Sequence, residues 1–440
     1  MHNSNYKCPR PLEFKDYLST IYPGCFLNIE DIKTITFQVT ENCCLNCSYC
    51  YQVHNTHNEL EFDKIKPWIE KLLNDELSYI NTNNTKGIIW EFIGGEPFLK
   101  IDLITQITDL IYDTMIKKHH PWLYSSKISI SSNGILYFDP RVQKYLNKYQ
   151  DLISLGISLD GNKELHDKCR VDLEGNGSYD RVIAAVRHHK EKFKQMPAIK
   201  MTFAAENLPY LNESYQYLIS EGYKNLTGNC VFEDVWYENS ATELYYQLKN
   251  LADYLIDNNL YKDIYVSFFN EDDCCPMDEE DNSNWCGGVH NCMFAIDNNG
   301  LIYHCIRFMD TSLQGEQKSL PIGDIVNGFG VMEEHIENLK MFQSVDRRSQ
   351  STDECFYCPI ASGCAWCSGY NYQKTGTVNK RVTYICCMHK AKSLANVYYW
   401  NKIYQKEKIN KVFIRHLSNE ESLKIIPQDE IDLLTKLERG

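Results

Sequence analysis

Nineteen cysteines are distributed unevenly along this 440-residue chain. Cys8, Cys25, Cys169 and Cys230 stand alone; the others fall in three groups, at 43–50, 274–305 and 355–387. Whatever fold the chain adopts must gather each group around something or bury it as unpaired thiols. The N-terminal stretch MHNSNYKCPRPLEF has no apolar run of the secretory kind, so the expected location is cytoplasmic. Thiols stay reduced there, which makes a disulfide framework the wrong reading and metal or redox chemistry the better one. The four solitary cysteines read as small buried hydrophobes.

The hydrophobic pattern gives the architecture. KTITFQV (33–39), GIIWEFI (87–93), KISISS (127–132), LISLGISLD (152–160), AIKMTFAA (198–205) and NLTGNCVFE (225–233) read as strands. Helical periodicity lies between them at 62–80, 101–116, 180–193 and 210–220, and after them at 243–259. This alternation predicts an α/β fold with a parallel sheet, and six units suit a partial (β/α)6 barrel of the TIM type. The acidic stretch 270–284 reads as a linker. The division expected is an N-terminal extension (1–32), the barrel (33–270), a cysteine-rich unit with its linker (271–390) and a helical tail (391–440). A net charge of −14 argues against nucleic acid, and no apolar run is long enough for a membrane helix.

The first group lies in TENCCLNCSYCYQ (40–52), directly after the first strand, at the end of the sheet where barrel enzymes build active sites. Cys43, Cys47 and Cys50 are spaced C-x3-C-x2-C, and Cys44 breaks that spacing. Three thiolates hold three irons of a [4Fe–4S] cluster and leave the fourth open, whereas a fully ligated cluster takes four. The motif in this place resembles the radical S-adenosylmethionine (SAM) superfamily. There the open iron chelates SAM, and one electron releases a 5′-deoxyadenosyl radical that abstracts hydrogen. The resemblance covers about residues 33–235 and extends to GGEP (Gly94, Gly95, Glu96, Pro97), SSNG (with Ser132 and Asn133), SLDG (with Ser158 and Asp160) and Arg170. It implies that Glu96 accepts from the SAM ammonium, that Asn133, Ser158 and Asp160 lie near the ribose or substrate, and that Arg170 meets the SAM carboxylate. Tyr49 would pack beside the ligand. The two glycines would let backbone approach it.

The later groups resemble a SPASM domain. Cys286, Gly300 and Cys305 fit its opening, with a hairpin turn at Asp297–Gly300, and Cys355, Cys358, Cys364 and Cys367 follow. Relative to the usual pattern one residue is missing before Cys367. The resemblance implies one auxiliary cluster on Cys286, Cys292, Cys305 and Cys367. A second takes Cys355, Cys358, Cys364 and Cys386, with Cys387 as the alternative to Cys386. Three [4Fe–4S] clusters and SAM are therefore the expected cofactors. Zinc bound by the paired C-x2-C motifs is the competing reading.

Proteins of this resemblance mostly modify peptides. ISLDGNKELHDKCR and CCMHKAKSLANVYYWNKIY are most similar to maturases that form thioethers in ribosomally made, cysteine-rich precursors. Sulfatase-maturing relatives place an aspartate after the G-x4-C cysteine, where this chain has Ile306. The expectation is a radical SAM peptide maturase whose partners are a cysteine-rich precursor and an electron donor of flavodoxin or ferredoxin type. Carbon–carbon crosslinking, epimerisation and sulfatase maturation are the enzyme alternatives. A multicluster electron carrier and a zinc-binding module are the others.

Overall fold

Alternate residues of the first strand have opposite chemistry, and both sets are buried. Ile35, Phe37 and Val39 face the apolar core, while Thr36, Gln38 and Thr40 form a polar set on the other face. The computed structural model describes residues 32–53, 58–77, 85–233, 236–237, 239–282, 286–289, 293–364 and 366–440. The expected strands are β1 (Ile32–Thr40), β3 (Gly87–Gly94), β4 (Ser126–Ser132), β5 (Ile153–Ser158), β7 (Ala198–Phe203) and β8 (Asn225–Cys230). They lie side by side in chain order and pair in parallel. Short β9 (Tyr265–Val266) adds to β8, and β2 (Leu45–Cys47) pairs separately with β6 (Arg170–Asp172).

Helices connect the parallel strands: α1 (Phe62–Leu72), α2 (Ile101–Lys118), α3 (Pro140–Lys148), α4 (Lys163–Cys169), α5 (Tyr179–Phe193), α6 (Leu211–Ser220) and α7 (Ser240–Asp257). In α2, Ile104, Ile107, Ile111 and Met115 recur at helical spacing and are all buried. The expected helix over 62–80 stops early at Leu72. Asp75 turns left-handed at φ 60°, and the Glu76 N–H donates back to Lys71 O at 3.0 Å; residues 78–80 lie outside the described residues. Helix α3 went unread, although its start is explicit: Asp139 accepts from the Arg141 N–H and Pro140 occupies the first turn.

The cysteine-rich unit shares the same sheet. β10 (Met293–Ile296) pairs in parallel with β1, and β11 (Leu301–Tyr303) folds back on it through the expected turn. Asp297 closes that turn by accepting from the Asn299 and Leu301 N–H groups at 2.9 and 2.8 Å, with Gly300 at φ 83°. β12 (Gly323–Asp324) and β13 (Gly328–Phe329) continue antiparallel, giving the linear order β13-β12-β11-β10-β1-β3-β4-β5-β7-β8-β9. The sheet is therefore mixed but mostly parallel.

Helix α8 (Cys386–Glu407) crosses the expected 390/391 boundary without a break. It docks along α7, and buried Asn396 accepts from the Asn270 N–H at 3.0 Å and donates to Phe268 O at 2.9 Å. Tyr399 stacks on Phe269 at 4.1 Å. Among the described residues no helix is long and apolar enough to cross a membrane.

The core beneath β1 is aromatic. Phe37 stacks on Phe92 at 5.5 Å, and fully buried Trp90 meets Trp122 edge-on at 6.1 Å. Trp90→Ala should cost about 3–5 kcal/mol of stability. Its urea unfolding midpoint, followed by circular dichroism, should drop well below wild type; an unchanged midpoint would contradict this packing.

Candidate active site

The cysteine loop is held against the end of β3 by backbone. A Cβ on Gly94 would lie 2.6 Å from Thr40 O, and one on Gly95 would lie 2.4 Å from Asn42 O. The Gly95 N–H donates to Thr40 O at 3.1 Å and the Glu96 N–H to Asn42 O at 2.8 Å. The glycines bring backbone close to the cysteine loop. On its other side the loop is pinned by β2 and β6, where Cys47 sits opposite Arg170.

Glu96, wholly buried, is the hub of the next layer. Its Oε1 accepts from the Phe98 N–H at 3.0 Å and the Ser132 hydroxyl at 2.8 Å, and its Oε2 accepts from the Asn133 N–H at 2.7 Å. Burial pushes its carboxyl up to about 7 despite those three donors. Pro97 opens the short 3-10 turn that buries Phe98. Asn133 reaches the thiols, donating through Nδ2 to Cys44 Sγ at 3.2 Å and to Cys43 Sγ at 3.7 Å. Cys44, read as a bystander, thus shares the donor of Cys43. A hydrogen bond between the two thiols raises Cys43 and lowers Cys44 to about 6.

Asp160 and Arg170 form a buried forked pair. Arg170 Nε donates to Asp160 Oδ2 at 2.7 Å and Nη2 to Oδ1 at 3.3 Å, while the Thr202 N–H donates to Oδ1 at 3.2 Å. Tyr49 donates its hydroxyl to the same carboxylate, and its ring lies under the guanidinium at 5.3 Å. Arg170 Nη1 points to Cys47 Sγ at 3.9 Å. Ser158, half-buried, ends β5 two residues before Asp160, and Cys50 is exposed.

Four side chains near these groups went unread: three on strands and one on α4. Thr36 donates to Glu91 Oε2 at 2.6 Å, and the exposed Lys200 lies in the field of Glu91. His166, buried beside Ser178 Oγ at 3.0 Å, is lowered to about 4 by burial. Their only signal was polar identity at strand and helix positions, which does not separate a site from a solvated face.

The later cysteines converge in two places. A Cβ on Gly288 would sit 3.6 Å from both Cys286 Sγ and Cys305 Sγ, and Cys305 and Cys367 lie within electrostatic range of each other and of Cys286. Cys292 lies outside the described residues. Cys355, Cys358, Cys364 and Cys386 are likewise mutual electrostatic neighbours. Cys387 instead donates to Tyr384 O at 3.3 Å. Burial pushes Cys305 and Cys364 up to about 12, a setting in which a thiolate needs a bound cationic centre. Among the described residues no three His, Cys, Asp or Glu side chains close on one ion. All-thiol donor sets of this kind suit iron–sulfur clusters in their chemistry. A separate cavity lined by Ser154, His189, Met196 and Lys224 lies at the opposite strand ends and holds none of these groups.

Residues 33–184 match the family described as a 4Fe-4S single cluster domain. An uncharacterized protein of Methanocaldococcus jannaschii is 30% identical over 45% of this chain, and the match spans 63% of that relative, less than two thirds of its length. A cysteine-type anaerobic sulfatase-maturating enzyme of Clostridium novyi is 23% identical over 63% of this chain and 74% of its own. The radical SAM cyclopropyl synthase TigE of Paramaledivibacter caminithermalis is 26% identical over 42% of this chain and 38% of its own. Among solved structures, anSMEcpe with bound AdoMet and the Kp18Cys peptide superposes with TM-score 0.59 at 17% identity, covering 86% of this chain and 99% of that one. Streptococcus suis SuiB bound to precursor peptide SuiA gives 0.52 at 14%, covering 80% and 75%. At these identities the structural likeness is one of fold.

The raised Glu96 carboxyl has a consequence for stability. Between its ordinary value of 4.5 and about 7 the native chain binds a proton that the unfolded chain has released, so this group makes stability fall as pH rises through that window. Glu96→Gln should remove that slope, a difference of roughly 3 kcal/mol across the window. Urea unfolding of both proteins from pH 4.5 to 7.5 checks it; parallel curves would contradict it.

Proposed function

We propose that this chain is a radical SAM enzyme that modifies a ribosomally made, cysteine-rich peptide, abstracting hydrogen from a carbon that then joins a cysteine sulfur as a thioether, with the thiol proton released and one electron passed to an acceptor of iron–sulfur type. The observation that carries this reading is the meeting of Cys43 and Cys47 with Glu96, Asn133, Asp160 and Arg170 at the strand ends, with Cys50 held in the same loop by its N–H on Cys47 O.

Cys43, Cys47 and Cys50 would hold the catalytic [4Fe–4S] cluster. The cysteines at 286, 292, 305 and 367, and those at 355, 358, 364 and 386, would hold two more. When bound, cluster and SAM together supply the 5′-deoxyadenosyl radical. The protein's part is placement. Three donors do not exhaust the four acceptor sites of the Glu96 carboxylate, which leaves room for an ammonium. Arg170, fixed by Asp160 and Tyr49, keeps Nη1 directed toward Cys47, beside which an anionic group would lie. Ser158 and Asn133 stand at the C-terminal ends of β5 and β4, as Asp160 and Glu96 do at those of β5 and β3. The target C–H must be aligned closely with the radical, since orientation of this kind is a large share of catalysis. Glu91 and Lys200 give the peptide a charged wall to rest on. A flavodoxin- or ferredoxin-type donor would supply the electron.

Sulfatase maturation is the second reading, favoured by the Clostridium novyi relative. Ile306 weighs against it, because the residue after Cys305 offers no carboxylate to take a proton.

The test is to incubate anaerobically reconstituted protein, SAM and a reductant with a cysteine-rich peptide encoded beside the gene, then weigh and alkylate the peptide. Loss of two hydrogens per bond, with that cysteine now resistant to alkylation, is the expected result. The same mass loss with every cysteine still alkylated would overturn the thioether.

A further inference from the structure

Arg381 sits against the second auxiliary cysteine group with two of its three nitrogens unsatisfied. Its Nη1 donates to Cys355 Sγ at 3.3 Å. Its Nε and Nη2 are buried and have no partner among the described residues. The guanidinium lies over the ring of Trp366, 3.6 Å from its centroid, so that face is closed and the donors can point only along the guanidinium plane. Trp366 stands between Cys364 and Cys367, and its own Nε1 is also buried without a partner among the described residues.

This arrangement is expensive as it stands. A buried donor without an acceptor costs free energy, and a charged one costs more. Local geometry elsewhere shows how such a cost is avoided. Arg347, packed on Phe356, spends Nη1 on Asp278 O and Asp281 O and Nη2 on Phe356 O. Arg381 has no ion pair with a carboxylate among the described residues; it lies beside Cys355 and Cys364, which neighbour Cys358 and Cys386, and Arg347 is a second cation close by. A partner beside these donors has to offer several acceptor atoms at once, and an anionic one also offsets the buried charge. The sulfide and thiolate sulfurs of a four-iron cluster have that character.

We infer that Arg381 and Trp366 form the donor wall of the second auxiliary cluster, with Arg381 hydrogen-bonding its sulfurs and raising its reduction potential. This rests on the proposed reading of that cysteine group as a cluster site. Reduction adds one electron and one negative charge to the cluster, and a fixed cation with N–H···S donors favours the more negative state. Arg170 stands to Cys47 in a similar way at the first group. Arg381 is a positioning and charge-setting residue, not one that touches substrate.

The experiment is a redox titration, followed by electron paramagnetic resonance, of the anaerobically reconstituted full chain, with iron and sulfide counted first. Wild type is compared with Arg381→Gln, Arg381→Lys and Trp366→Phe. Arg381→Gln should move one auxiliary potential to a more negative value and leave the others in place. Arg381→Lys keeps the charge but not the planar fork, and should fall between the two. Trp366→Phe should shift the same potential by less, in the same direction. Unchanged potentials at full iron content would overturn the inference. If Arg381→Gln does not retain its iron, the Lys and Phe variants decide by the same criterion. Wild-type protein that holds zinc, or the iron of one cluster alone, would instead overturn the cluster reading itself, and the inference with it.

Discussion

There is no room for a Cβ at Gly94 or Gly95, and the placement of the cysteine loop depends on that fact. Any side chain there would push β3 away from Thr40 and Asn42 and break the two backbone hydrogen bonds that fix the loop. Because Glu96 follows at once, the same contact sets the carboxylate that organises Ser132, Asn133 and Phe98. Asn133 then reaches Cys43 and Cys44. One steric constraint at a strand end therefore positions thiols from one loop and polar groups from two others.

A second constraint comes from the far end of the chain. β10 pairs in parallel with β1, so the unit carrying Cys286, Cys305 and Cys367 is tied to the strand that leads into Cys43. Gln38 donates to Thr311 Oγ1 at 3.2 Å and the Val53 N–H to Thr311 O at 2.8 Å, which joins the two cysteine-bearing regions side by side. Arg307, paired with Glu233 at 3.0 Å, lies over the Tyr51 ring at 4.3 Å in the same seam. The unit is an extension of the sheet, which is why its position relative to the strand ends is fixed.

Much of this was legible in the sequence, for local reasons. The strands around Phe37, Trp90 and Ile130 announce themselves because they are β-rich and bury a full apolar face, and the Asp297–Gly300 turn carries its own hydrogen bonds. The residues of the candidate site were legible as motifs, but their contacts were not. That Asp160 holds Arg170, that Cys44 shares the donor of Cys43, and that the glycines serve the loop all depend on chain segments meeting in space. The helix through 62–80 was overextended because LNDELSYI keeps helical character while Asp75 turns left-handed. The β2–β6 pair is three residues long and joins segments far apart, so no local pattern could show it. Parallel pairing of β10 with β1 is hidden for the same reason.

The central claim is that Cys43, Cys47 and Cys50 hold the cluster at which SAM is cleaved. The direct measurement compares the wild-type chain with a variant carrying alanine at all three positions, both reconstituted without oxygen and supplied with SAM and dithionite. Wild type should hold about twelve irons, counting three four-iron clusters, and release 5′-deoxyadenosine; the variant should hold about eight and release none. Cleavage of SAM by the variant, or an iron content unchanged by the three substitutions, would contradict the account.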